Sequence, residues 1–335
     1  KTTMGIKSFS KTFETSAKEL KKKDLKNKTI AVDASIIMFK SCLGMSNINA
    51  LTDSDGNPTA HINILIAKIL NFKKSEIKPL FVFDFYEKNY VNINKTLEHD
   101  KRKKIKDKAK KKITELNNKK NELFSSDEDD DEYKEQKMDK ALHDQEKIAF
   151  SLNNDIIRDT IFILNSFNIP YCMSPIGVEA EALCAKLTRE GVCDLVWSTD
   201  TDTMAYGATM MVRELKIKTK KVLISYKLDD ILYDKKLTMD EFLKICTILG
   251  TDHNIKTKGV GPKTVFKKYK DIELTNEQKN TINIFTDSID ISNLEWNNTA
   301  TDVFDNDKIE KLLNWLEEKN FNRDRIIKQI NKCNS

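Results

Sequence analysis

Short apolar runs alternate with amphipathic stretches along much of the 335-residue chain. Strands covered by helices on both faces need apolar residues throughout. We therefore predict strands at residues 29–32, 79–83, 169–173, 195–198, 210–214 and 222–226. Apolar positions spaced three or four apart predict helices at residues 35–41, 60–74, 151–167 and 179–190. This alternation predicts an α/β fold with a largely parallel central sheet flanked by helices.

The rest of the pattern is helical, and part of it is strongly charged. Residues 101–121 predict a long helix with few core positions. We expect this helix to stand off the body of the protein, after an Asn-rich loop at residues 86–97. From Thr238 onward only helices are indicated, at residues 238–249, 307–319 and 322–331. Gly250 is expected to end the first of these three helices.

Composition narrows the class of protein. The apolar fraction of 39% is enough for a core. No apolar run approaches the roughly 18 residues that can span a membrane. Residues 1–13 lack a signal-peptide core, and we take Met4 as the initiator and residues 1–3 as an extension. Six cysteines without a CxxC pair are typical of a reducing compartment, and four histidines without an HxxxH or HExxH pattern argue against a histidine-rich metal site.

The net charge of +5 hides a local asymmetry. Residues 95–120 contain twelve Lys or Arg against four Asp or Glu, which gives a local charge of +8. Residues 127–132 are six acids in a row. A basic element of this kind can contact phosphates. The alternative is a solvated helix beside a disordered acidic loop.

Acidic residues recur where the predicted strands and helices begin or end. Four aspartates follow apolar runs, two glutamates lie in the first turn of a predicted helix, and one aspartate follows the Gly250 stop. They are Asp33, Asp84, Glu179, Glu181, Asp200, Asp202 and Asp252. Ligands of open parallel sheets bind at the carboxyl ends of the strands, so these acids are candidates to converge there.

Convergence would make the acids oppose one another's ionisation, and divalent cations would relieve the repulsion. Ligand sets made only of oxygen favour Mg²⁺ or Mn²⁺ over zinc. Such a site suits phosphodiester hydrolysis by two metal ions without a side-chain base. The alternative is that each acid is an unrelated cap or turn residue.

At these residues the chain resembles the flap endonuclease family of structure-specific 5′ nucleases. The shared motifs, in order, are MGI at 4–6, VDAS at 32–35, FVFD at 81–84, GVEAEA at 177–182, STDTD at 198–202, LGTD at 249–252 and GVGPK at 259–263. The resemblance covers nearly the whole chain. It implies that the seven carboxylates bind two Mg²⁺, with Mn²⁺ as the alternative, and that the protein hydrolyses a phosphodiester near the junction of a single-stranded 5′ flap with duplex. Phe85 and Thr199 replace the family's usual glycine and acid, but neither change removes a ligand.

The resemblance further implies a single nuclease domain over residues 1–335, with a helical arch and acidic insertion at 86–146. In the family, a lysine and an arginine seven residues later project from the arch toward the scissile phosphate. Lys95 and Arg102 have this spacing and would stabilise negative charge on the phosphate. The alignment needs a short insertion, so three other basic residues compete for these roles: Lys101, Lys103 and Lys104.

A helix–two-turn–helix element at residues 238–275 is also implied, with C-terminal helices at 303–331. Its glycine turn, with Pro262 at a first helical position, would present backbone N–H groups to a phosphate, and its lysines would add sequence-independent contacts. The expected DNA contacts are Gly259, Gly261, Lys263, Lys267 and Lys268. Lys256 occupies the position of a serine that holds K⁺ in the family, so K⁺ binding stays open.

Two further positions match the family. Gly5 matches an N-terminal glycine near the active site, and Phe39 matches an aromatic residue that stacks on a base near the cleavage point. Phe39 is equally compatible with core packing on its own helix.

The expected protein is thus a flap endonuclease of DNA replication and repair. It is expected to act on branched or flapped DNA as a monomer and to have no membrane as a partner. The alternatives are a 5′–3′ exonuclease or junction resolvase of the same superfamily, a non-cleaving DNA-junction scaffold, and a phosphatase or RNA-cutting nuclease. The last residues, Asn334 and Ser335, form no glutamine-plus-aromatic peptide, so we expect a sliding clamp either not to bind or to use another site. We expect an intracellular location, in the nucleus or a viral replication compartment, and the many Lys, Asn and Ile residues are typical of the AT-rich genome of a virus or protist.

Overall fold

The structure is a computed structural model that describes residues 5–43, 59–85, 96–123, 132–150, 152–217, 220–298 and 304–334. Some predicted features lie outside these ranges. They are Lys95, residues 127–131 of the acidic run, and residues 86–95 of the predicted loop.

One mixed sheet holds the strands of the described residues. The strands are β1 Ala17–Leu20, β2 Thr29–Asp33, β3 Lys78–Phe83, β4 Tyr171–Met173, β5 Leu195–Trp197, β6 Met210–Ile217 and β7 Lys220–Lys227. Their order across the sheet is β1-β7-β6-β5-β2-β3-β4. The neighbours from β6 to β4 pair in parallel, whereas β7 and β1 extend the sheet in antiparallel fashion. The predicted α/β fold with a largely parallel sheet is confirmed.

Helices flank this sheet. Those described are α1 Phe9–Thr12, α2 Ala34–Leu43, α3 Ala60–Lys74, α4 Thr96–Leu123, α5 Glu132–Ala149, α6 Asn154–Ser166, α7 Ala180–Arg189, α8 Asp202–Ala205, α9 Leu228–Lys235, α10 Met239–Leu249, α11 Val265–Lys268, α12 Asn276–Thr286, α13 Asn306–Glu318 and α14 Arg323–Asn334. Two short 3₁₀ helices cover Glu14–Ser16 and Lys22–Leu25.

Each face of the sheet packs against its own core. Along β2, Ile30 and Val32 point into one core and Ala31 into the other, and all three are fully buried. The core that contains Ala31 is covered mainly by α7, α8, α10, α11 and α12, and the other by α2, α3, α6, α13 and α14. Burial on both faces explains why the parallel strands are continuous apolar runs in the sequence.

The long basic helix α4 packs along α5, and the expectation that it stands off the body of the protein stays a prediction. Its less exposed positions recur every three or four residues and include Ala109, which is 3% exposed, and Ile113. An ion pair between Lys120 and Asp139 joins the two helices. The sequence did not indicate α5, because its apolar positions are few among charged ones.

Other departures from prediction have local causes. β4 begins at Tyr171 rather than at residue 169, and the preceding Pro170 has no N–H to donate to a ladder. β1 was not predicted because its sequence, AKEL, has little apolar character, and its pairing with β7 is entirely non-local. No helix in the described ranges is long and apolar enough to cross a lipid bilayer.

Candidate active site

Two aspartates lie at the carboxyl ends of neighbouring parallel strands. Asp33 is the last residue of β2 and is buried, and its Oδ1 accepts the N–H of Ile36 at 3.2 Å. Asp84 follows β3 and is exposed. Its carboxylate accepts the Ser35 hydroxyl and the N–H of Ala180, both at 2.9 Å. The bond to Ala180 ties the end of β3 to the start of α7.

Helix α7 contributes two glutamates at its amino terminus. Glu179 is the N-cap residue, with an extended backbone (φ −81°, ψ 149°), and Glu181 lies in the first turn. The expectation that both residues lie in the first turn was therefore wrong for Glu179. Both side chains are buried, and the helix dipole favours negative charge at this end.

Asp200, Asp202 and Asp252 form the tightest group. One carboxylate oxygen from each lies within 4.8 Å of those of the other two. The N–H of Asp202 donates to Asp200 at 2.9 Å, and the N–H of Asp252 donates to Asp202 at 3.2 Å. Asp252 reaches the sheet because Gly250 ends α10 at φ 90°, where an added Cβ would lie 2.8 Å from the backbone nitrogen of Lys256.

The acids share one electrostatic environment. Burial, followed by the charge of Glu181, raises the pKa of Asp33 well above its usual range. Burial, followed by the charges of Asp200 and Asp252, does the same to the pKa of Asp202, and Glu181 contributes there too. Glu181 therefore lies between the two aspartate groups, and the structure brings them to one edge of the sheet.

Glu179 joins the cluster through Tyr206 in the loop after α8. The Tyr206 hydroxyl donates to Oε2 of Glu179 at 3.2 Å, and His253 approaches the same hydroxyl at 3.1 Å. All seven carboxylates predicted as a metal-binding set thus lie together.

The donor atoms suit a hard divalent cation. Oδ1 of Asp202 is buried and makes no hydrogen bond within the described part of the chain, so it can serve as a ligand. Carboxylate oxygens are the ligands that Mg²⁺ and Mn²⁺ prefer. At the rim, Nζ of Lys7 lies 3.1 Å from Oδ1 of Asp252 and offsets part of the negative charge.

Gly5 packs directly against Asp200 and Asp202. Its φ is 74°, and an added Cβ would lie 2.2 Å from Oδ1 of Asp200 and 2.6 Å from the N of Asp202. The N–H of Lys7 also donates to the carbonyl of Gly250 at 2.8 Å. The start of the described chain is therefore packed directly against the carboxylates, as the match of Gly5 to the family suggested.

Sequence reasoning missed Lys7, Tyr206 and His253. Tyr206 lies four residues after Asp202, so helical spacing could have placed both on one side of α8. His253 was dismissed because it forms no histidine motif, although it directly follows a predicted ligand. Lys7 gives no signal beyond its position after the MGI motif.

Phe39 on α2 is half-buried and packs edge-to-face on Phe150, with 5.6 Å between ring centroids. Its neighbour Phe150 follows α5, so this contact joins the α4–α5 pair to the helix that begins after Asp33. The contact supports a packing role and leaves part of the ring open to a base, so both expectations for Phe39 stand.

The candidate phosphate-contacting residues on α4 are only partly described. Lys95 lies outside the described residues, and Arg102 and its competitor Lys101 belong to the helix, whose side chains are described from Lys103 onward. Lys103 and Lys104 are exposed. The basic face of α4 therefore points away from α5 and into solvent.

The GVGPK segment forms a turn between α10 and α11. Gly259 adopts φ 76°, and an added Cβ at Gly259 or Gly261 would meet no atom within 4 Å, so external groups can approach. One expectation was wrong, because Pro262 lies before α11 rather than at its first position. The N–H of Gly261 donates to the Thr264 hydroxyl at 3.0 Å, and a DNA contact at Gly261 stays a prediction. The three lysines of this element that are predicted to contact DNA are exposed and available to phosphates: Lys263, Lys267 and Lys268.

Comparison with protein families matches two parts of the chain. A model of the XPG N-terminal domain matches residues 4–109, and a model of the XPG I-region matches residues 168–252. Among curated relatives, flap endonuclease 1 of Leishmania major is 28% identical over 284 residues, which is 81% of this chain and 66% of that relative. The chain therefore spans about two thirds of that relative's length.

Solved structures share the fold. Flap endonuclease-1 from Methanococcus jannaschii aligns with a TM-score of 0.66 and 20% identity over 95% of both chains. The catalytic core of Rad2, solved in complex with a DNA substrate, aligns with a TM-score of 0.66 and 18% identity over 98% of this chain and all of that one.

We predict that Gly5→Ala impairs both folding and metal binding. The new Cβ would overlap Asp200, so the carboxylate or the chain start must shift. Thermal unfolding in EDTA and in Mg²⁺ would show a lower melting temperature and a smaller rise on adding Mg²⁺. Gly191→Ala is a matched control, because Gly191 has φ 71° but nothing lies within 4 Å of an added Cβ. It should cost only the left-handed backbone strain of about 1–2 kcal/mol. Equal effects of the two substitutions would contradict this account.

We predict that Asp202→Asn stabilises the metal-free protein near neutral pH. Because burial raises the pKa of Asp202 in the folded state, the unfolded chain ionises first as pH rises, and folding is then penalised. Below the unfolded pKa, roughly 3.9, the carboxyl is protonated in both states and the difference disappears. Unfolding in EDTA from pH 5 to 8 should show the variant's advantage growing with pH.

Addition of Mg²⁺ should reverse this order, because only the wild type keeps the full ligand set. Asp271→Asn, at an exposed acid away from the site, is the control and should show neither effect. An advantage for Asp202→Asn that does not depend on pH would argue against a charge-based cause.

Proposed function

This chain belongs to the flap endonuclease family, and we propose that it is a divalent-metal-dependent 5′ nuclease that cuts branched or flapped DNA near the single-strand/duplex junction. The observation that carries this proposal is that carboxylates from five chain segments lie close enough to interact. The pKa shifts of Asp33 and Asp202 involve six of the seven, and Glu179 is linked to them through Tyr206. The complete acid set favours a cutting enzyme over a non-cleaving scaffold.

The carboxylates would hold the cations, and the sheet would fix their positions. Two bound Mg²⁺, or Mn²⁺ in their place, would activate the attacking water and stabilise the leaving oxygen. The group formed by Asp200, Asp202 and Asp252 would supply one part of the binding surface. The other part would come from Asp33, Asp84, Glu179 and Glu181. No side-chain base is required by this chemistry.

The α4–α5 pair would guide the single strand. It is inserted after Asp84 and returns at Phe150, which contacts Phe39 next to the site. Both attachments therefore lie near the carboxylates. The exposed lysines of α4 can follow a phosphate backbone. We assign charge stabilisation at the scissile phosphate to Lys95 and Arg102.

The duplex would lie against the turn between α10 and α11. Lys263, Lys267 and Lys268 are exposed and would neutralise phosphates without reading sequence. An ion held by backbone carbonyls in this turn would have to do without a serine, since Lys256 is exposed at that position. K⁺ binding and a monomeric state stay predictions.

An intracellular site of action, in the nucleus or a viral replication compartment, also stays a prediction. It is supported by the six cysteines, which are all free thiols and fit a reducing environment.

We predict that the wild type, with Mg²⁺, makes single cuts near the flap base of a 5′-labelled double-flap DNA. Asp200→Ala should lower the rate at least about 100-fold, because metal-based charge stabilisation is worth several kcal/mol and each ~1.4 kcal/mol is tenfold. Asp271→Ala should cut like the wild type.

The same assay separates the alternative functions. Blunt duplex, four-way junction and RNA run in parallel test for an exonuclease, a resolvase and an RNA-cutting nuclease, respectively. If the wild type binds the junction tightly but does not cut, the non-cleaving DNA-junction scaffold would be the remaining function. An Asp200→Ala protein that still cuts at the normal rate would refute the metal-site assignment.

We predict that DNA binding weakens steeply with salt, because neutralised phosphates release counterions. Replacing Lys263, Lys267 and Lys268 by Ala should weaken binding for all sequences and reduce the slope of log K against log salt by about 1–3. Replacing Lys21, Lys22 and Lys23, which lie between β1 and the amino end of β2, removes the same charge and should leave the slope nearly unchanged. Equal slope changes would contradict the proposed duplex surface.

A further inference from the structure

A buried tyrosine and a buried histidine meet at one carboxylate of the candidate active site. The Tyr206 hydroxyl donates to Oε2 of Glu179 at 3.2 Å, and Nε2 of His253 lies 3.1 Å from the same hydroxyl. A hydroxyl has one proton, so if it donates to Glu179 it must accept from His253. His253 then donates to the Tyr206 hydroxyl, and that hydroxyl donates to Glu179.

The environment holds both rings in place. Tyr206 is 4% exposed and the His253 side chain 2%. Phe285 of α12 contacts both edge-to-face, with ring centroids 4.9 Å from Tyr206 and 5.5 Å from His253. The two polar groups therefore have little room to choose other partners.

These hydrogen bonds also join three segments that carry candidate metal ligands. Tyr206 follows α8, which begins at Asp202, and His253 directly follows Asp252. Glu179 caps α7 from outside the helix, and its side chain makes no capping hydrogen bond to α7. The position of its carboxylate is therefore set by groups from elsewhere in the fold.

Such positioning has a physical purpose. Glu179 is buried beside other carboxylates, which repel it and would favour a rotamer pointing away from them. A fixed hydroxyl donor holds the charged form in place and restricts that movement. Groups that orient metal ligands in this way usually change metal affinity when they are removed.

We propose that Tyr206 and His253 are positioning residues that hold Glu179 in its metal-binding orientation. The proposal rests on the proposed function to the extent that Glu179 belongs to the metal-binding set. It assigns no contact with DNA or metal to either residue.

The test is Tyr206→Phe, which removes the hydroxyl and keeps the ring against Phe285. Metal-free protein is titrated with MgCl₂, and the Mg²⁺ concentration that gives half of the maximal rise in melting temperature is measured. We expect this midpoint to increase about tenfold, within the 10–100-fold range typical of such orienting groups. Cleavage of flap DNA should show the same shift in its Mg²⁺ dependence and partial recovery at high Mg²⁺.

Tyr269→Phe is the matched control. Tyr269 is also buried, and its hydroxyl donates to a glutamate, Glu241, at 2.8 Å, but Glu241 caps α10 and is not a candidate ligand. This variant should lose some melting temperature in EDTA without moving the Mg²⁺ midpoint. A merely structural role of Tyr206 would give the same result as this control.

Variants of His253 test its place in the series of hydrogen bonds that ends at Glu179. His253→Ala should move the midpoint in the same direction as Tyr206→Phe, and His253→Gln, which keeps an N–H donor, should restore part of it. The double variant should shift the midpoint at least as far as Tyr206→Phe, because Nε2 of His253 lies 3.1 Å from the Tyr206 hydroxyl and also 3.7 Å from Oε2 of Glu179.

A midpoint for Tyr206→Phe within twofold of the wild type, or an equal shift in Tyr269→Phe, would overturn the proposal. The metal titration contains no DNA, so its outcome is independent of the nuclease assignment. A wild type that binds Mg²⁺ and shows these shifts but cuts no DNA would support the positioning role and refute the proposed function.

Discussion

Mutual repulsion among buried carboxylates is the constraint on which the rest of this structure depends. Burial and the charges of neighbouring acids raise the pKa of Asp33 and of Asp202 well above the usual range, because little water screens the charges there. The chain offsets part of the repulsion with main-chain donors. The N–H groups of Ile36, Ala180, Asp202 and Asp252 each bind one of four aspartates. These donors belong to the backbone and cannot rotate away as side chains do.

The packing of the two cores keeps the acids from separating. Each one is attached to a strand end, a helix start or a glycine-stopped helix, and those elements are closely packed on a buried face of the sheet. Relaxation at any one acid would have to move an element that the core holds. Cation binding would reduce the repulsion without moving these elements, which would link the rigidity of the fold to the chemistry of the site.

Much of this could be predicted from sequence, because the relevant signals are local. Apolar runs located the parallel strands, and acids that follow such runs must lie at their carboxyl ends. What failed was non-local. β1 has no apolar signature and depends on β7, α5 depends on α4, and the contacts of Tyr206 and His253 with Glu179 join segments far apart in the chain. Spacing could not show that the Gly261 N–H is used within its own turn.

The contact of Gly5 with the site has a consequence for the order in which the protein matures. The hydroxyl of Thr201 reaches the carbonyl of Ile6 across 195 residues, and Lys7 reaches Asp252 across 245. Residues 5–7 can therefore dock only after the segment around Asp252 has been made. Closing so large a loop is a late event in folding. A nascent chain stalled before α10 would carry six of the seven acids but not Asp252, so the site would be complete only once that segment exists.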